Sequence, residues 1–227
     1  MIAAPAFNAD RFATTPLIAI LRGQRADIIG PAVRALADGG FTALEITMNT
    51  PGAAAQIQAA IAGAEGRLAV GAGTVTSLIE LDEAQAAGAS FIVTPVVEPG
   101  VITECVRRGL PVFPGAFTAS EIHQAHRLGA TMVKLFPAHR LGPGYIRDLK
   151  APLSRIRLLA TGGITPETLP DYARAGAEGF GIGSPLFQPD RLAARDWDWL
   201  RQRARDFCLA WQSVPRVPAT DSAKRPD

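Results

Sequence analysis

Lysine is scarce in this chain. Of 23 Lys+Arg, only Lys134, Lys150 and Lys224 are lysines. Arginine supplies the generic positive charge, so each lysine needs a reason of its own. Cysteine is also scarce. Cys105 and Cys208 lie far apart in helix-like stretches and form neither a disulfide framework nor a metal pair, which suits a reducing, cytoplasmic interior. Aromatic residues make up 7% of the chain, no basic run interleaves with them, and the net charge is only +2, which argues against a nucleic-acid partner. No apolar run approaches the roughly 18 residues needed to span a bilayer. The first charged residue is Asp10, so the N-terminus lacks the basic region of a signal peptide, and no membrane partner is expected.

Small and apolar residues are plentiful: 48% of the chain is hydrophobic and 22 residues are glycine. Strand-like runs fall at residues 17–21, 43–47, 68–73, 91–95, 112–116, 131–137, 157–161 and 179–182. Alanine-rich amphipathic helices are expected between them, at 28–37, 53–62, 78–87, 101–108, 119–128, 145–149 and 166–175. A short N-terminal helix near 8–14 and a final helix at 197–211 complete the pattern. Thr118 is placed to cap one helix, and Thr165-Pro166 to open another. Eight such units predict a single-domain α/β fold, a (β/α)8 TIM barrel over residues 1–211, with a doubly wound open sheet as the competitor. Residues 212–227, rich in Pro, Ser, Thr and charge, read as a disordered tail.

Barrel enzymes gather reactive groups at the C-terminal ends of their strands. Lys134 sits in the sixth strand and Glu45 in the second, each a lone charge in an apolar run. Two readings fit. They can form a buried structural ion pair, or an amine nucleophile with a carboxylate that moves protons for imine chemistry. Arg22 ends the first strand, where it can hold a carboxylate bidentately or make a surface salt bridge. Phe136 reads first as core. Gly162 and Gly163 after strand seven, with Gly183 and Ser184 after strand eight, occupy the usual barrel phosphate position, though plain turns would also account for them. Gly71-Ala72-Gly73-Thr74-Val75-Thr76 lacks the third glycine of a dinucleotide fingerprint. His123 and His126 read as surface residues rather than a metal pair, and His139 lies nearer the mouth without an assigned role.

These stretches together resemble the class I 2-keto-3-deoxy-6-phosphogluconate / 6-phosphogalactonate aldolase family. The likeness runs from about Leu17 to Phe187 and rests on Leu17–Gly23, Glu45–Pro51, Gly71–Val75, Val93–Pro95, Lys134–Pro137, Thr161–Ile164 and Gly181–Ser184. It implies that Lys134 is the Schiff-base lysine and Glu45 the proton-transfer residue. Arg22 and Thr74 would hold a pyruvate carboxylate, Pro95 and Phe136 would wall the imine, and Gly162, Gly163, Gly183 and Ser184 would receive a phosphate. It also implies a phosphorylated keto-deoxy sugar acid as substrate, no metal or other cofactor, and a homotrimer. Leu17–Gly23, Asn49 and Phe136-Pro137 followed by Gly142–Ile146 resemble the phosphogalactonate members, and with more matching positions that type is the expected one. Thr161 resembles the phosphogluconate members, where a hydroxyl sits beside the substrate's C4 hydroxyl and the galactonate type carries valine.

Overall fold

A computed structural model of the chain describes residues 7–215. After α1 (Ala9–Thr14), eight strands alternate with helices: β1 (Leu17–Leu21), α2 (Ala26–Asp38), β2 (Ala43–Thr47), α3 (Ala53–Ala64), β3 (Ala69–Gly73), α4 (Leu78–Ala86), β4 (Ile92–Thr94) and α5 (Pro99–Arg107). They continue through β5 (Val112–Ala116), α6 (Ala119–Arg127), β6 (Val133–Leu135), α7 (Gly142–Lys150), β7 (Leu158–Thr161), α8 (Leu169–Arg174), β8 (Gly179–Ile182), α9 (Pro189–Ala193) and α10 (Trp197–Gln212). All neighbouring strands pair in parallel and β8 closes on β1, so the fold is the expected closed barrel and not the open sheet.

Side chains alternate across each strand, and that alternation divides the core in two. Residues of one parity pack outward against the helices, as Leu17, Ala19 and Leu21 of β1 do. Residues of the other parity fill the barrel: Ile18, Ala43, Ala69, Phe91, Val93, Phe113, Met132 and Leu159. Phe12 of α1 joins this inner set, with its ring 6.0 Å from that of Phe113. Phe91 and Phe113 meet edge-to-face at 5.7 Å, the arrangement that aromatic quadrupoles favour. The N-terminal end of the barrel is thereby plugged with apolar side chains, and only the opposite end can admit a ligand.

Several sequence-based boundaries shift, for identifiable reasons. The sixth strand is shorter than 131–137. At its start the Thr131 hydroxyl takes the place of a ladder carbonyl, accepting from the Val112 N–H at 3.0 Å. At its end Pro137, which has no N–H, follows a cis peptide bond and leads into a 3-10 turn at Ala138–Arg140. Thr165 and Thr168 exchange hydrogen bonds in a turn, so the eighth helix begins at Leu169 rather than Pro166. Strands three, four and seven begin one residue later than expected, and strand four ends at Thr94, before Pro95. The final helix runs through Gln212. Residues 213–215 follow it, and the rest of the expected tail lies outside the described residues. Thr118 caps α6 as expected, in a reciprocal capping box with Glu121.

Lys150 also acquires a reason. Its Nζ donates to the Ile156 carbonyl at 2.9 Å and to Glu178 Oε2 at 2.9 Å, clamping α7 to the starts of β7 and β8. The aromatic floor carries the clearest stability expectation. Phe12→Ala should cost about 3–5 kcal/mol in chemical denaturation, the range for a buried phenyl replaced by a cavity. A loss below about 1 kcal/mol would mean that Phe12 does not seal the barrel.

Candidate active site at the barrel mouth

The inward parity that carries the apolar floor continues upward into chemistry. Two residues above Ala43 comes Glu45; two above Met132 comes Lys134, then Phe136; two above Leu159 comes Thr161, then Gly163. Arg22, Pro95 and Gly183 fall on the same parity of their own strands. The strand register adds something that spacing could not reveal. Glu45 lies beside Gly71, Lys134 beside Gly115 and Thr161 beside Gly181. Each reactive side chain therefore has a neighbouring strand that contributes no side chain beside it. The clearance is tight. A methyl on Gly73 would come within 2.7 Å of the Glu45 carboxyl carbon, and one on Gly181 would overlap the Thr161 hydroxyl.

Glu45 is 1% exposed and Lys134 6%. No ion pair within 4.0 Å joins them, yet each feels the other's charge. Burial pushes the Glu45 carboxyl above its usual value, against the opposing pull of the Lys134 and Arg22 charges. Burial likewise pulls the Lys134 ammonium below its usual value; Glu45 opposes that shift and Arg22 adds to it. Desolvation thus drives both groups toward their neutral forms, and a neutral amine is the nucleophilic form of lysine. One Glu45 oxygen, Oε1, and the Thr161 hydroxyl are buried without a hydrogen-bond partner in the protein. Unpaired buried acceptors and donors are costly, and both of these lie on the inward parity of their strands, where a ligand can complete them.

Lys134 Nζ lies 5.3 Å from the Phe136 ring centroid. Phe136 is 41% exposed, so it is a wall at the mouth and not the core residue that an apolar strand suggests. A cleft of about 360 Å³ brings Arg22, Phe136, Thr161, Gly162, Gly163, Gly183 and Ser184 to one surface. Gly162 and Gly163 hold positive φ values of 97° and 72°, which side-chain-bearing residues rarely adopt. Beyond β8, Leu186 and Phe187 both donate to the Gly183 carbonyl, so a helical turn opens beside these glycines. Two glycine turns and a helical turn at this end form the usual barrel cradle for phosphate.

Thr74 and Pro95 do not line that cleft. Thr74 caps β3 with φ 58°, a costly conformation for a β-branched residue and one that clusters at functional sites. Pro95 sits past the end of β4, its carbonyl against Gly115. Lys134 and Glu45 are not among the lining residues either; Lys134 stands two residues before Phe136 along β6. His123 and His126 are exposed on α6, as the sequence reading had them. His139 packs on Gly163 and donates its backbone N–H to the Gly162 carbonyl at 3.2 Å, bracing the glycine turn. Sequence reasoning missed four lining residues: Ile20, Gln24, Pro185 and Phe187. Inward parity could have found Ile20. Nothing in the local pattern marks the other three, which the loops after β1 and β8 bring in.

Residues 9–203 match the family model for KDPG and KHG aldolase. The chain belongs to the KDPG and KHG aldolase family. It is 40% identical to the 2-dehydro-3-deoxy-6-phosphogalactonate aldolase of Escherichia coli (strain K12), over 88% of this chain and 96% of that one. A solved structure described as native KDPGal superposes with a TM-score of 0.82 at 37% identity, covering 91% of this chain and 97% of its own. A cube-shaped cage designed by fusing symmetric oligomeric domains contains a chain 39% identical, with a TM-score of 0.81 over 87% of this chain and 72% of that one. Members of the family are aldolases, carbon–carbon lyases, and this chain is one of them.

The opposing charges around Lys134 give a signed expectation. The pH profile of Lys134 modification by a small amine-directed reagent should be centred below the ordinary lysine value of 10.5. Glu45→Gln removes the charge that holds the Lys134 pKa up and should move the profile to lower pH. Arg22→Ala removes one that holds it down and should move the profile to higher pH. Equal profiles in all three proteins would contradict a shared electrostatic site.

Proposed function

We propose that this aldolase is of class I and cleaves 2-dehydro-3-deoxy-6-phosphogalactonate to pyruvate and D-glyceraldehyde 3-phosphate through a Schiff base on Lys134. The observation that carries the reading is a lysine amine, 6% exposed, driven toward neutrality within the electrostatic reach of an equally buried carboxyl. Neutral Lys134 Nζ attacks the C2 ketone; the carbinolamine hydroxyl leaves as water with a proton from the neutral Glu45 carboxyl, giving a carboxylate and an iminium that can accept an electron pair. Glu45, through a water, takes the proton of the C4 hydroxyl. The C3–C4 bond breaks, its electrons enter the iminium to give an enamine, and the aldehyde departs. The enamine is protonated at C3, and water hydrolyses the resulting iminium to free pyruvate and Lys134. Arg22 and Thr74 hold the carboxylate, Pro95 and Phe136 keep the imine dry, and Gly162, Gly163, Gly183 and Ser184 receive the phosphate through backbone N–H groups.

The unpaired Thr161 hydroxyl favours a second substrate, 2-dehydro-3-deoxy-6-phosphogluconate, whose C4 hydroxyl has the opposite configuration. The same site could also accept 4-hydroxy-2-oxoglutarate. Pyruvate release from both C4 epimers, measured on the wild type and on Thr161→Val, decides between the two phosphosugar acids. Loss of the hydroxyl should lower relative activity on the gluconate epimer about tenfold or more, the worth of one well-placed buried hydrogen bond. An unchanged epimer ratio would remove Thr161 from substrate recognition. Lys134→Arg should lower cleavage of both by at least about a thousandfold; activity within about tenfold of wild type would end the Schiff-base reading.

The working form in this proposal is a homotrimer in the cytoplasm, without metal or other cofactor. Ile79 at the start of α4, Val96 after β4 and Phe117 after β5, exposed at 72%, 53% and 40%, are the apolar surface this reading assigns to a second copy. Both cysteines are free and buried, in keeping with a reducing compartment. Sedimentation equilibrium should read three times the 23.9 kDa of one chain, and a monomer mass at micromolar concentration would contradict the assembly.

A further inference from the structure

Seven polar or charged side chains are buried among the described residues. Glu45, Lys134 and Thr161 face the barrel interior, and Thr94 donates to the Val96 carbonyl of its own loop. That leaves Thr47 of β2, Thr50 of the connection after it and Gln56 of the first turn of α3. Their hydrogen bonds converge on residues 22–24 of the β1 loop. The Gly23 N–H donates to Thr50 Oγ1 at 2.9 Å. Thr50 Oγ1 lies 3.1 Å from Thr47 Oγ1, which stands two residues beyond Glu45 on the same face of β2. Gln56 Nε2 donates to the Gln24 carbonyl at 2.9 Å, and Gln24 Nε2 donates back to the Arg22 carbonyl at 3.0 Å.

Arg22 itself is exposed, and no ion pair to another described residue fixes its guanidinium. Its aim therefore depends on its backbone. We infer that Thr50, supported by Gln56, is a positioning residue for Arg22: it locks the loop that carries the carboxylate-binding guanidinium to the strand that carries Glu45. The inference rests on the reading of Arg22 as the carboxylate holder. Buried hydroxyl and amide groups are costly unless satisfied, and here Thr50 and Gln56 are satisfied in part by the backbone of the β1 loop. The loop needs that anchor because Gly23, in a left-handed conformation at φ 63°, is the residue type with the freest backbone. Losing the anchor leaves Lys134 and Glu45 in place and loosens only the grip on the carboxylate.

The test uses the full chain and pyruvate as the probe, reading the pyruvate concentration that half-saturates borohydride-trapped imine. Thr50→Val swaps the hydroxyl for a methyl of similar shape. It should raise half-saturation about five- to tenfold, as expected for one lost buried hydrogen bond. The maximal trapping should stay at the wild-type level, and Thr50→Ser should restore wild-type half-saturation. In an Arg22→Ala background, Thr50→Val should add nothing, because the group it positions is gone. An undiminished effect of Thr50→Val in that background would make Thr50 merely structural and overturn the inference. A strong effect of Arg22→Ala beside a neutral Thr50→Val would sink the positioning role alone. A neutral Arg22→Ala would sink the reading of Arg22 and the positioning role with it. Should Thr50→Val fail to fold, Gln56→Met releases the Gln24 carbonyl and carries the same expectations.

Discussion

The desolvation of Lys134 is the constraint on which the rest of the structure depends. An ammonium in an apolar interior is expensive, and the protein lowers that cost by favouring the neutral amine and by keeping Glu45 within electrostatic reach. Both devices need a sealed barrel. The aromatic floor of Phe12, Phe91 and Phe113 keeps water from reaching the pair from below, so solvent and substrate can enter only at the mouth. A direct ion pair would have fixed the amine in its charged state.

Room inside the barrel is the second requirement, and glycine supplies it. Gly71, Gly115 and Gly181 lie in register beside Glu45, Lys134 and Thr161, and the added methyl groups would collide with a ring, a carbonyl and a hydroxyl respectively. These glycines are needed for space and not for unusual backbone angles. Gly162 and Gly163 differ, because their positive φ values make them glycine on conformational grounds. The same residue type thus serves two physical ends at the two halves of one site.

Much of this was legible in the sequence because it follows a period of two. Lys134 and Glu45 stood out as isolated charges in apolar runs, and Arg22, Thr161 and the paired glycine turns fell at strand ends where a barrel places its chemistry. Eight repeating units pointed to a closed barrel with an open sheet as the competitor, and the pairing of β8 with β1 decides between them. What stayed hidden depended on register and on loops. The pairing of each reactive residue with a glycine requires knowing which residues face each other across strands. Phe136 looked like core because its run is apolar, yet the chain turns at Pro137 and leaves the ring at the rim. Gln24, Pro185 and Phe187 reach the cleft from loops with no periodicity to read. Thr50 and Gln56 carry no signal at all until their partners 27 and 32 residues earlier are seen.

The scarcity of lysine makes the central claim easy to test cleanly. With Lys150 held by Glu178 and the Ile156 carbonyl, Lys134 is the one lysine at the mouth among the described residues. Peptide mapping of the protein after borohydride reduction in the presence of pyruvate tests this most directly. The account predicts one reduced pyruvyl adduct, on the peptide that contains Lys134, with the Lys150 and Lys224 peptides unmodified. An adduct on either of those, or none on Lys134 in folded protein, would contradict it.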